Sequence, residues 1–279
     1  MTDTEVELAA LDALLDGEAL SDDAIAGTFR VWQRVRGHRF SLDDLATAWE
    51  AARAQPTATR VLDLGCGLGS VLTMLAWKLP QAQLVGVEAQ GISMALARRN
   101  VARNVGMAER ATLVLGDMRD DAVLARAHAA GGPFDLISGT PPYMPPGTAT
   151  PSPDSQRAHA RIELRGGVEV YLEAMAGLLA PDGVAVVCCD ARTPARALDA
   201  AKRVGLVCVQ RRDVVPRAGV KGALFSVYTC RRRDDAPQAA LDVAPPLVVR
   251  DEGGGRTEAA HALRRFFDLA VDEDEAPSP

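Results

Sequence analysis

From residue 60 onward, short apolar runs alternate with stretches whose apolar positions recur at helical spacing. RVLDL (60–64), QLVGVE (83–88), ATLVLG (111–116), FDLIS (134–138) and GVAVVCC (183–189) read as strands. Two more, at about 206–212 and about 223–230 (ALFSVYTC), bring the set to seven. The helical stretches fall between them, at about 69–78, 91–104, 168–180 and 194–204. Strand and helix in alternation predict an α/β, Rossmann-like architecture: a mostly parallel seven-stranded sheet with helices on both faces.

Two segments break the alternation. Residues 144–167 form a loop rich in Pro, Ser and Arg, long enough to predict a lid or a disordered connection. Residues 231–257 are rich in Pro and Gly and lead into a short helix, TEAAHALRRFFDLA. Upstream, EVELAALDALLD (5–16) predicts an N-terminal helix, and the closing VDEDEAPSP predicts a disordered tail.

Charge sharpens this division. The chain is −6 overall, yet residues 1–28 hold eight acids and residues 268–279 hold five, with no Lys or Arg in either stretch. Residues 29–267 therefore carry 24 acids against all 31 basic residues, a net +7 that permits a polyanionic partner. The expected organisation is an acidic N-terminal helical extension (1–28), one α/β domain (29–267) and an acidic tail (268–279). No apolar run approaches the ~20 residues of a membrane span and the N-terminus is acidic, so a cytoplasmic location is expected. The five cysteines show no C-x-x-C spacing, which predicts buried free thiols. His38, His128, His159 and His261 are scattered without metal-ligand spacing, so no metal is expected.

The chemistry gathers at the ends of the first four predicted strands. The first runs into DLGCGLGS, in which Gly65, Gly67 and Gly69 let the backbone turn tightly and bring a ligand against peptide groups and a helix N-terminus. Glu88 ends the second strand, where a carboxylate can accept both hydroxyls of a ribose. Asp117, in the GDM that follows the third, can accept an exocyclic adenine amine. Asp63, Glu88 and Asp117 thus fall where open α/β sheets bind ligands, although each alone could equally be a helix cap or a solvated loop residue. Together they point to an adenosyl cofactor.

The D-x-G-x-G-x-G spacing resembles that of class I S-adenosylmethionine-dependent methyltransferases rather than the G-x-G-x-x-G of nicotinamide enzymes. At the end of the fourth strand, GTPPY (139–143) resembles the N-P-P-Y signature of methyltransferases acting on planar nitrogen. Three further stretches are similar to the YfiC-like tRNA(Val) N6-adenine methyltransferase family: RGHRFSLDDLATAW (36–49), SPDSQRAHARIELRGGVEVYLEAM (152–175) and PPLVVRDEGGGRTEAAHALRRFF (245–267).

The resemblance implies the class I fold, S-adenosyl-L-methionine as cofactor, and N6-methylation of an adenine in tRNA. By it, Thr140, Pro141, Pro142 and Tyr143 hold the acceptor nitrogen in line with the methyl group. Ser41, Asp43, Asp63, Gly65, Cys66, Gly67, Gly69, Glu88, Asp117 and Met118 would surround the cofactor, although Ser41 and Asp43 could equally form a helix cap before LDDLATAW. Arg157, Arg161 and Arg165, spaced by four, would line one helical face that suits tRNA phosphates if the loop folds on RNA and is otherwise a solvated charged face. Thr140 stands where the signature has Asn. Its hydroxyl is shorter and lacks the amide, which leaves open a small-molecule or protein-side-chain acceptor. A cofactor-retaining RNA-binding module without catalysis is the further alternative.

Overall fold

The computed structural model describes residues 9–236 and 240–271. After a helical turn at 9–13, a two-stranded antiparallel hairpin forms from β1 (Leu20–Ala26) and β2 (Phe29–Arg34). The main body follows in the order α1 (Leu42–Ala54), β3 (Arg60–Leu64), α2 (Ser70–Lys78), β4 (Gln83–Glu88), α3 (Gly91–Arg103), β5 (Ala111–Leu115), α4 (Asp121–Gly131) and β6 (Phe134–Gly139). Then come α5 (Ser155–Arg161), α6 (Val168–Leu178), β7 (Leu179–Asp190), α7 (Pro194–Arg203), β8 (Leu206–Arg217), β9 (Phe225–Arg232), β10 (Asp242–Arg250) and α8 (Glu258–Phe266).

Eight strands form the central sheet, in the order β10-β8-β9-β7-β6-β3-β4-β5. All neighbours are parallel except β9, which runs antiparallel to both β7 and β8. The seven expected strands are present, and the eighth is β10. Its Pro245 and Pro246 argue against a strand interior, but β10 lies at the sheet edge and its register shifts between Ala244 and Leu247, where missing N–H donors are tolerated.

Successive residues of the central strands bury into opposite layers, as the two-residue side-chain period requires. Val61, Leu136 and Val186 join a cluster with Leu72, Ala48 and Met94 on one face. Leu62, Ile137 and Val187 join Leu172, Met175 and Ala197 on the other. The order of the sheet reverses at the β3–β6 junction, because β4 and β5 lie to one side of β3 and β6 and β7 to the other. That junction opens the crevice in which doubly wound sheets place ligands.

The acidic N-terminal stretch meets the basic body directly. Asp22 pairs with Arg30 and Arg103 at 2.8 and 2.9 Å, Asp23 with Arg39 at 3.0 Å, and Glu18 with Arg34 at 2.8 Å. Part of the +7 of residues 29–267 is thereby neutralised within the chain. The hairpin also crosses position 28, where the sequence suggested a boundary between a helical extension and the α/β domain. All five cysteines are buried and free. Residues 272–279, most of the expected tail, lie outside the described residues.

Candidate functional site

The glycine turn is built to bring main chain to the ligand side of the sheet. Gly65, Gly67 and Gly69 all have positive φ (62°, 58° and 86°), and Gly69 is the N-cap of α2. A Cβ on Gly65 would lie 2.2 Å from the Tyr171 hydroxyl, whereas one on Gly67 would meet nothing within 4 Å. The first glycine therefore makes room for a buried tyrosine from α6, and the second leaves an open cradle.

This turn forms one wall of a cleft of about 880 Å³, part of it open to solvent. Gly65, Cys66, Gly67, Glu88, Asp117, Met118, Thr140 and Pro142 all line it. The ends of β3, β4, β5 and β6 thus converge on one space. Phe40, Asp44, Ser70, Gln90, Arg165 and Tyr171 complete the walls.

Glu88 is buried at the end of β4. Its Oε2 accepts the Gly67 N–H at 2.9 Å and its Oε1 the Gln90 N–H at 2.7 Å. These bonds fix the carboxylate and leave acceptor capacity free; burial nonetheless raises its pKa above the usual carboxylate range. Asp117 is the opposite case. Arg119 donates to it at 2.7 and 3.0 Å and Arg165 approaches to 3.4 Å, so the paired guanidinium of Arg119 holds its pKa low.

Asp63 does not line the cleft. It lies beneath the glycine turn, where the Ser138 hydroxyl donates to it at 2.8 Å and the backbone of Leu72, in the first turn of α2, also hydrogen-bonds to it. Burial pushes its pKa up to about 8. Gly69 and Pro141 likewise shape the cleft without lining it.

Ser41 and Asp43 line a second, neighbouring cleft together with Tyr143, Arg157 and Arg161. Ser41 is the N-cap of α1 in a capping box with Asp44, whose Oδ2 accepts the Ser41 N–H at 2.8 Å. The helix phase set by this cap turns Asp44, not Asp43, into the first cleft. There its Oδ1 accepts from the Ser70 hydroxyl at 3.0 Å, and Thr140 lines the same cleft. Burial, with the nearby charge of Asp43, pushes the Asp44 pKa up to about 7. Burial also raises the Tyr143 phenol and lowers His38, a residue that lines both clefts.

The segment after β6 packs over the site, where Arg165 and Gly166 line the first cleft. α5 carries Arg157 and Arg161, but it ends at Ile162, whose bridge to Met144 turns the chain. Arg165 therefore leaves the helical face that its spacing suggested and reaches Asp117 in the first cleft. The buried Gln156 pins α5: it accepts from Arg34 and from the His38 N–H, and donates to Ser93 at 3.1 Å. Asp154 adds a 2.9 Å ion pair to Arg34.

Sequence reasoning missed Asp44, Ser70 and Tyr171. The only signal for Asp44 was the capping-box spacing from Ser41. Tyr171 gave none beyond the paired requirement at Gly65.

Residues 40–150 match the family described as "Methyltransferase small domain". Over that stretch, 111 of its 279 residues, the chain is similar to methyltransferases. A release factor glutamine methyltransferase of Geobacter sulfurreducens is 38% identical over 119 residues, which are 42% of this chain and 38% of that protein. A tRNA1(Val) (adenine(37)-N6)-methyltransferase of Dickeya chrysanthemi is 29% identical over 231 residues, 81% of this chain and 86% of its own length. Against the first curated relatives as a group, the matched segment spans only 38–58% of their length. A predicted O-methyltransferase from Agrobacterium tumefaciens shares the fold with a TM-score of 0.59, at 20% identity over 84% of this chain and 100% of that one.

S-adenosylmethionine, the cofactor that the resemblance implies, fits the first cleft. The Gly67 cradle has the space that a Cβ would fill, and the buried acids Asp44 and Glu88 line the same cleft, a lining suited to a cationic ligand. Among the described residues no group of three or more His, Cys, Asp or Glu could hold a metal ion, and no helix is long and apolar enough to cross a membrane.

Proposed function

We propose that the chain transfers a methyl group from S-adenosylmethionine to the N6 amine of an adenine in tRNA, in the cytoplasm. The observation that carries this reading is the meeting of Thr140 and Pro142 with Gly67, Glu88 and Asp117 on one cleft, so the T-P-P-Y turn and the cofactor acids face the same space. Glu88 would hold the ribose hydroxyls, and Asp117 with Met118 the adenine of the cofactor.

The acceptor would enter through the second cleft. Tyr143 offers an aromatic face there, and Arg157 and Arg161 offer charge for the phosphates of a nucleic acid. An aromatic amine is a poor nucleophile because its lone pair is delocalised into the ring. Placement of its nitrogen and acceptance of its N–H bonds would then supply most of the rate. The similarity to the Dickeya tRNA methyltransferase over most of both chains supports the acceptor.

A second reading keeps the transfer and changes the acceptor to a protein side chain or a small molecule. Thr140 in place of the usual Asn favours it, as does the similarity to a release factor glutamine methyltransferase. The two part on one experiment: mass spectrometry of tRNA nucleosides from a strain lacking the protein. Loss of N6-methyladenosine is expected; an unchanged level would leave the second reading in place.

A further inference from the structure

α5 is too short to hold itself. A helix of seven residues has no stability of its own in water, and this one buries only Gln156 and Ala158. A single alanine supplies little apolar area, so a polar side chain must set where the helix lies.

Gln156 is only 2% exposed and joins α5 to three other parts of the chain. Its Oε1 accepts from Arg34 Nη1 at 3.0 Å and from the His38 N–H at 3.1 Å, and its Nε2 donates to Ser93 Oγ at 3.1 Å. A guanidinium and a backbone N–H can only donate, so the amide can face them in one orientation. Arg34 is itself held: Asp154, the N-cap of α5, accepts from its Nη1 at 2.9 Å and Glu18 from its Nη2 at 2.8 Å. Gly37 leaves the room this requires, because a Cβ there would lie 2.3 Å from Gln156 Oε1.

The partners of this amide belong to the cleft. His38 and Ser93 line the first cleft, and one turn further along α5 so do His159 and Ala160. Ala160 also lines the second cleft, with Arg157 and Arg161. α5 is therefore a wall common to both spaces, and Gln156 ties that wall to β2 through Arg34, to the chain after β2 through His38 and to α3 through Ser93.

We propose that Gln156 is a positioning residue that clamps α5 across the cofactor cleft, so that a bound cofactor leaves only when this buried amide lets go. The inference rests on the methyltransferase reading and deepens it by assigning the control of release at the same site. It also gives the N-terminal stretch a task, since Glu18 secures the arginine that secures the clamp.

The test is stopped-flow binding of S-adenosylhomocysteine to the full chain, with hydrogen exchange on the same proteins. Gln156→Met keeps the length and bulk of the side chain but removes all three bonds. It is expected to speed dissociation by about tenfold or more while association changes by less than about threefold. Gln156→Glu keeps both accepted bonds and can accept from the Ser93 hydroxyl, so its dissociation rate should stay within about threefold of wild type. In Gln156→Met, hydrogen exchange should quicken in α5 while β3 and β6 keep their protection. Unchanged dissociation in Gln156→Met, an equal acceleration in Gln156→Glu, or protection lost across the sheet as well would overturn the inference. If Gln156→Met does not fold, Asp154→Asn decides, because Asn can still cap α5 but holds Arg34 without charge. Dissociation should then quicken by about threefold or more, and an unchanged rate refutes the clamp. Failure of wild-type protein to bind S-adenosylhomocysteine overturns the methyltransferase reading itself, whatever the variants do.

Discussion

Ser138 on β6 donates its hydroxyl to Asp63 on β3 at 2.8 Å, across the junction where the order of the sheet reverses. Both residues are buried, so this bond joins the two halves of the sheet directly beneath the cleft. Ser138→Ala would leave one carboxylate oxygen short of a donor. A loss of about 1–2 kcal/mol in urea unfolding is expected, with weaker S-adenosylhomocysteine binding because Asp63 also holds the first turn of α2.

Gly65 and Tyr171 make a second such pair. Gly65→Ala sets a methyl 2.2 Å from the tyrosine hydroxyl, at a φ of 62° that L side chains rarely adopt. Affinity for S-adenosylhomocysteine should fall about tenfold or more. Tyr171→Phe in the same chain should restore part of it, since the ring carbon at 3.1 Å and the backbone strain of about 1 kcal/mol remain. Calorimetry on the single and double variants reads this directly.

Asp117 is held by Arg119 and approached by Arg165. If it also accepts the adenine amine of the cofactor, replacing that amine by the oxygen of S-inosylhomocysteine should weaken binding to wild-type protein by about tenfold. The Asp117→Ala variant should bind the two ligands alike. An equal penalty in both proteins would place the adenine elsewhere.

The buried acids set a pH dependence whose sign is opposite to that of an ordinary surface carboxylate. Asp44 at about 7 and Asp63 at about 8 lie above the unfolded value of 3.8, and Glu88 is raised in the same direction by burial. Between the unfolded and folded values the folded chain binds more protons than the unfolded one, so stability falls as pH rises. His38, lowered by burial, opposes this only where the unfolded imidazole titrates, near its ordinary 6.5 and below. Cofactor-free protein should therefore lose on the order of 1–3 kcal/mol between about pH 6.5 and pH 8.5. Denaturant titrations at the two pH values check this, and Asp63→Asn should flatten the difference.

The central strands were legible because long apolar runs tolerate no other reading once both faces of the sheet are covered. The elements that escaped are those whose local signal conflicts with their place. β1, LSDDAIA, looks solvated, yet its acids are matched by Arg30, Arg39 and Arg103 from the body. β10 carries two prolines that only an edge can absorb. α4, DAVLARAHAAG, is nearly half alanine and buries only Val123 and Ala127, so it offers little periodic contrast.

The site followed the same rule. Residues fixed by backbone demand, such as the glycines and the Pro-Pro step, were readable. The choice between Asp43 and Asp44 depends on helix phase, and the departure of Arg165 from the Arg157–Arg161 face depends on where α5 stops.

The most direct test of methyl transfer to adenine is to incubate the protein with methyl-labelled S-adenosylmethionine and unmodified tRNA transcripts, then identify the labelled nucleoside. Label in N6-methyladenosine, lost in Tyr143→Ala, is the predicted result. Label in another nucleoside, or none in any transcript while a release-factor protein or an aromatic amine is methylated, would contradict it.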